Sequence, residues 1–158
     1  MMKRSAGILL YRGRGATLDL LLVHPGGPFW ANKDKGAWSI PKGEYAADED
    51  PLAVAKREFG EELGSQPPEG SYVELGELKQ PSRKLITIFA AKGDFDPATL
   101  RSNPFELEWP RGSGRMRSFP EVDRAQWFAL TEAREKIQAG QAPSIDRLLA
   151  QMNKLKGT

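Results

Sequence analysis

The stretch GEYAADEDPLAVAKREFGEELG, Gly43 to Gly64, holds a helix whose two ends are both marked. Asp50 is suited to cap it, and Pro51 stands where proline is favoured, at the first helical position. Leu52, Ala55, Phe59 and Leu63 recur at helical spacing, which predicts an apolar stripe packed on a sheet. Gly64 marks a stop. The same helix carries Glu58, Glu61 and Glu62 beside Arg57. At helical pitch the three glutamates fall within an arc of about 100° to one side of the stripe. The helix can therefore bury one face and present carboxylates along the edge of a cleft. Gly60, in the helix interior, costs roughly 1 kcal/mol relative to alanine, and predicts a close approach of another backbone.

Like charges three and four residues apart repel by a few tenths of a kcal/mol per pair. A divalent cation would compensate, and grouped oxygen ligands suit Mg²⁺ or Mn²⁺. A solvated acidic face would also do, so the cluster alone leaves both readings open. Arg57 points away from the cluster and could reach back to Glu49, tying down the loop before the helix.

The rest of the chain narrows the field. It has 158 residues, 39% hydrophobic and 28% charged, the balance of a globular chain and the length of one domain, 1–158. The net charge is +2 with scattered basic residues, so no nucleic-acid partner is expected. There is no cysteine and a single histidine, His24. Thiolate metal sites are excluded, any metal must be held mainly by oxygen, and His24 reads as a strand-end residue without catalytic duty. The N-terminal apolar run is too short to span a membrane and lacks a cleavage pattern, so the expected location is the cytoplasm.

Strands are predicted at Ser5–Tyr11 and Leu18–His24, joined as a hairpin, then at Trp38–Ile40, Tyr72–Leu78, Lys84–Lys92 and Gln126–Ala129. Pro25–Ala37 reads as a loop and Gly93–Gly114 as irregular. Helices are expected at Thr131–Ala139, capped by Thr131, and at Pro143–Leu155. The sum is a mixed α/β domain without the regular alternation of a doubly wound fold.

Residues 43–65 resemble the signature of the Nudix hydrolases, Gly-x5-Glu-x7-Arg-Glu-apolar-x-Glu-Glu-x-Gly-apolar. Gly43, Glu49, Arg57, Glu58, Phe59, Glu61, Glu62 and Gly64 all fall on it, and Ser65 departs where an aliphatic residue is usual. The resemblance implies a Nudix fold, an α/β/α sandwich around a mixed β-sheet. It also implies Mg²⁺- or Mn²⁺-dependent hydrolysis of a nucleoside diphosphate linked to another group. Glu58 and Glu62 would be the principal metal ligands, with the Gly43 carbonyl and Glu61 assisting, and Arg57 and Glu49 would orient loop and helix.

Beyond the signature, Ser5-Ala6-Gly7, Trp38-Ser39-Ile40-Pro41-Lys42-Gly43 and the Glu-x5-Trp tract Glu121–Trp127 resemble the diadenosine tetraphosphate hydrolases. In that branch the glutamate of the late tract approaches the metals, which makes Glu121 the candidate remote carboxylate, with a solvated loop residue as the alternative. Lys42 could meet a phosphate. Phe29 or Trp30 could stack on a base, or pin their loop to the core; Trp38 reads as core. Arg111, Arg115 and Arg117 could line the mouth for a polyphosphate, or belong to a solvated loop. The expected substrate is a dinucleoside polyphosphate such as diadenosine tetraphosphate. The alternatives are an oxidised nucleoside triphosphate such as 8-oxo-dGTP, or a sensor that binds nucleotide without turnover. Retention of every signature glutamate favours an enzyme, acting as a monomer or homodimer.

Overall fold

A computed structural model describes residues 2–81 and 83–156. The strands are β1 (Lys3–Arg12), β2 (Asp19–Pro25), β3 (Lys42–Tyr45), β4 (Val73–Gln80), β5 (Lys84–Lys92), β6 (Pro104–Glu108), β7 (Met116–Pro120) and β8 (Val122–Ala129). The helices are α1 (Pro51–Leu63), α2 (Leu130–Lys136) and α3 (Pro143–Lys156).

β1 is the centre of a six-stranded mixed sheet in the order β4-β5-β1-β2-β8, with β3 added beside β1. Its run Ala6, Ile8, Leu9, Leu10 is fully buried, as expected of a strand covered on both faces. β5 runs parallel to it along its whole length, from Lys3↔Lys84 to Tyr11↔Lys92. The other edge of β1 is shared. β3 pairs with Arg4 to Gly7, while β2 pairs only with Tyr11 and Arg12. The β1–β2 hairpin is therefore closed at its turn and splayed at its open end.

Alternation along the strands divides the core in two. Ala6, Ile8, Leu10, Leu21, Val23 and Phe89 meet Ala55, Phe59 and Leu63 of α1. Leu9, Leu20, Leu22, Ile86 and Ile88 meet Ala133 of α2 and Ile145 and Leu148 of α3 on the opposite face. This is the α/β/α sandwich. No helix among the described residues is long and apolar enough to cross a membrane.

The ends of α1 are as predicted. The Asp50 carboxylate accepts the Ala53 N–H at 3.0 Å, Pro51 is the first helical residue, and Gly64 takes a left-handed φ of 79°.

Several expectations need correction. Trp38–Ile40 forms two isolated bridges, Val23↔Ser39 and Trp38↔Ile137, and the strand proper starts at Lys42. Pro41 has no N–H to offer a ladder, and the Ile40 N–H is taken by the Gln141 side chain at 2.8 Å. α2 begins one residue early, with Ala129 at the cap position and no side-chain cap, so Thr131 does not cap it. It stops at Lys136 because Ile137 bridges Trp38 and the Gln138 N–H donates to the Trp38 carbonyl. The region 93–114 is not simply irregular, since β6 pairs with β7 as a separate hairpin. Pro104 and Pro120 are its terminal strand residues, where a missing donor costs least.

Gly60 also departs from expectation. A Cβ there would find nothing closer than the Ser65 carbonyl oxygen at 3.8 Å, an ordinary contact. Gly60→Ala should accordingly raise stability by about 1 kcal/mol. In a domain of this size that is an increase in Tm of about 2–4 °C, read by thermal denaturation.

Candidate active site

Where β1 and β2 splay, the surface opens into a cleft of about 700 Å³, lined among others by Lys42, Gly43, Glu58, Glu62, Glu121 and Trp30. Two glycines make this geometry possible. A Cβ on Gly7 would stand 2.6 Å from the Pro41 carbonyl oxygen, so only glycine lets the Pro41-Lys42 segment cross β1. A Cβ on Gly43 would overlap the Glu58 carboxyl, which lies directly against the Gly43 backbone.

Glu58 and Glu62 lie one turn apart on α1 and turn toward β3. The Glu62 carboxylate accepts the Lys42 N–H at 3.4 Å. Burial pushes Glu62 up to about 8; Lys42 opposes this, while the charges of Glu121 and Glu58 add to it. Burial likewise pushes Glu58 up to about 7, with neighbouring Glu61 adding, Arg57 opposing and Glu121 contributing least. Ionising Glu62 in this surrounding costs roughly 5 kcal/mol. Lys42 does not supply enough positive charge to cancel that cost.

Arg57 behaves differently from expectation. It does reach back, with Nη1 3.2 Å from a Glu49 oxygen, and Glu49 in turn accepts the Ala46 N–H at 2.9 Å. These two bonds, the Ala46 one foremost, hold the Glu49 carboxyl below its ordinary range. But Arg57 does not point away from the cluster. Its guanidinium runs along the rim, 3.8 Å from Glu58 and 4.0 Å from Glu61. Half exposed to solvent, such pairs contribute little.

Glu121 comes from the other side of the cleft, between β7 and β8. Its backbone is fixed twice, since its N–H donates to the Asn103 carbonyl and its own carbonyl accepts the Gly26 N–H, each at 2.9 Å. The fold thus brings Glu121 to the two helix carboxylates across more than fifty residues of chain.

The remaining candidates divide. Trp30 lines the cleft and rests on the core. Phe29 does not line it; 55% exposed, it packs edge-on against Trp109 of the β6–β7 hairpin at 5.4 Å. Arg111 and Arg115 lie in the connection between β6 and β7, and Arg117 sits over the Phe119 ring, so none of the three lines the cleft. Glu61 is exposed on the rim. Cleft residues without a sequence signal are Gln80, Lys84 and Gln138, from the ends of β4 and β5 and the turn after α2. Lys84 opens a strand, and nothing in the pattern marks it as more than a solvated end.

No three histidine, aspartate or glutamate side chains among the described residues form a ready-made metal cage. Two carboxylates and a backbone carbonyl, opening on a cleft, do fit a cation that takes one or two carboxylates and completes its shell with water and phosphate oxygens. That is the habit of Mg²⁺.

Comparisons with known proteins agree with this fold. The chain overlays the NUDIX domain of Shewanella oneidensis NrtR complexed with ADP ribose at a TM-score of 0.60 and 16% identity, over 98% of this chain and 88% of that one. It overlays a C. elegans Ap4A hydrolase at 0.62 and 18%, over 95% and 98%. For a mutT/nudix family protein from Listeria innocua the values are 0.62 and 16%, over 97% and 95%. The sequence comparison with curated proteins gave no match. The family model of the NUDIX domain matches residues 1–148, nearly the whole chain; with Glu58 and Glu62 of that signature at one cleft, the protein belongs to the Nudix family of pyrophosphohydrolases.

Proposed function

We propose that this cleft hydrolyses the pyrophosphate linkage of a nucleoside diphosphate joined to another group, with a dinucleoside polyphosphate such as diadenosine tetraphosphate as the substrate. The observation that carries the reading is the convergence of Glu58, Glu62 and Glu121, with Lys42 beside them, in one cleft. The fold-level likeness to an Ap4A hydrolase agrees with it. Glu58, Glu62 and the Gly43 carbonyl would hold Mg²⁺ or Mn²⁺, with Glu61 assisting from the rim. Such an ion, when bound, neutralises phosphate oxygens and lowers the pKa of water.

The chain's own groups do the rest. Glu121, which lines the same cleft as the helix carboxylates, would accept the proton of the attacking water. The Lys42 ammonium meets the phosphate oxygens as a point charge. Trp30 offers the cleft an aromatic surface, worth about 1–3 kcal/mol if a base stacks on it. Arg57 and Glu49 hold the loop before α1 and so keep the glutamate pair in register with Gly43. Phe29 and Arg115 do not line this cleft.

The reading is tested by a panel of diadenosine tetraphosphate, 8-oxo-dGTP, ADP-ribose and an inositol pyrophosphate with Mg²⁺, products separated by chromatography. Diadenosine tetraphosphate should be cleaved, and Glu62→Gln should reduce the rate on the order of a hundredfold or more. Turnover of 8-oxo-dGTP in its place would transfer the chemistry to a pool-sanitising pyrophosphatase. Tight binding with no turnover of any compound would make the domain a nucleotide sensor.

A second expectation concerns the metal-free protein. Glu62 keeps its proton to about pH 8 when folded, but its ordinary value is 4.5. The unfolded chain therefore releases that proton first, and the folded state binds more protons over the interval. Stability then falls as pH rises from about 4.5 to about 8, by up to a few kcal/mol, and levels off above. Denaturation in chelator across this range should show the slope, and Glu62→Gln should reduce it, leaving the part that Glu58 contributes below about pH 7. Added Mg²⁺ should raise Tm more at about pH 8 than at about pH 5.

A further inference from the structure

His24 is the one histidine of the chain and lies fully buried at the end of β2, against the Trp38 ring. The chemistry at the cleft makes no use of it. Its two ring nitrogens are nevertheless both engaged, by groups from two different segments. Nδ1 is 2.8 Å from a carboxylate oxygen of Asp123, and Nε2 donates to the Lys33 carbonyl at 2.6 Å. A carbonyl and a carboxylate can only accept, so each ring nitrogen faces an acceptor.

The backbone around this ring is irregular in an informative way. In the β2–β8 ladder His24 pairs with Arg124 and Pro25 with Val122, so Asp123 is the extra residue of a β-bulge. Bulges re-aim side chains and are common beside active sites. Here the bulge sends the Asp123 carboxylate to the imidazole, and two residues earlier the chain delivers Glu121 to the cleft. Lys33 belongs to the connection Gly26–Ala37, which carries Trp30 along the cleft wall. No regular element holds this connection.

We propose that His24 is a positioning residue: through Asp123 and the Lys33 carbonyl it ties the Trp30 connection to the bulged edge of β8, and so sets the width of the substrate cleft between Trp30 and Glu121. The proposal rests on reading this cleft as the substrate site. The other charged groups around the ring agree with a clamp rather than a second site. Arg124 reaches to 4.0 Å from the same Asp123 oxygen and lies over the Trp38 ring. Asp34 accepts from the Trp38 indole and pairs with Lys136 of α2. Asp123, Arg124, Asp34 and Lys136 thus each have a partner within the protein, and the imidazole is a side chain that joins the two walls, beside the backbone bond from Gly26 to Glu121.

Asp123→Asn, His24→Asn and the double variant test this by two readouts. Hydrogen exchange of residues 26–37 should become faster in each variant, with the sheet β4-β5-β1 unaffected. For the substrate identified in the panel, KM should rise about tenfold, the size of one charge-assisted hydrogen bond, and kcat should fall less. The double variant should cost no more than either single, because both remove one linkage. Asp123 is partly exposed and its change to asparagine keeps its size, so that variant folds even where His24→Asn does not. Unchanged exchange in 26–37, or additive losses in the double variant, would overturn the clamp. A protein that turns over nothing in the panel would sink the functional reading alone, since the exchange measurement still decides the role of His24.

Discussion

One edge of β1 is asked to serve two partners. β3 occupies its first half and β2 only its last two residues. Everything functional follows from that division. Had β2 paired along the whole edge, Lys42 and Gly43 would have no ladder to join, and α1 could not bring Glu58 against Gly43. The division depends on Gly7, the residue over which Pro41 passes with no room for a side chain. The splayed end of the hairpin becomes the cleft, and the half-strand β3 becomes its lip.

The electrostatics of that lip run against stability. Glu58 and Glu62 are placed where burial and their neighbours resist ionisation, up to about 7 and about 8. A solvated acidic helix face would show neither shift. Sequence alone left the solvated reading open beside the metal reading, because spacing on a helix does not say which side of the helix meets solvent. The fold takes Glu58 and Glu62 off a fully solvated face by packing them against β3, and leaves Glu61 exposed. The helix tolerates them because its adjoining face buries Ala55, Phe59 and Leu63, and because its ends are well capped.

What was legible follows the same physics. Local signals were read correctly where local forces decide, as in the Asp50 cap, the Pro51 start, the Gly64 stop and the apolar runs of β1, β2 and β5. The signature glutamates were legible as a unit because their fixed spacing lies within one helix. Misreadings arose where a tertiary partner overrides the local pattern. The end of α2 is set by Trp38, from the other half of the chain, and Thr131 loses the cap to a chain that turns one residue sooner. The β6–β7 hairpin was hidden by its prolines, which reveal themselves as strand ends only once the pairing is known. Phe29 and Trp30 are adjacent and chemically alike, and no local rule could tell which one would face the cleft.

The connections that shape the cleft share a difficulty and a solution. Segments 26–37 and 38–41 contain glycines and prolines and lack the continuous ladder that would fix them. Apolar packing alone is non-directional and would leave their register loose. Buried polar side chains supply the missing direction. Gln141, fully buried, accepts the Ile40 N–H at 2.8 Å and donates to the Ser39 hydroxyl at 3.0 Å, acting as a strand partner for a stretch that proline interrupts. His24 does the same for the neighbouring connection. Among the described residues no buried side-chain polar atom lacks a partner, which is the condition for such networks to add rigidity rather than cost stability. The lip of the cleft and its wall are thus held by two buried side chains that never touch the reacting groups. Their bonds are directional, so they fix distances that burial of apolar surface could not.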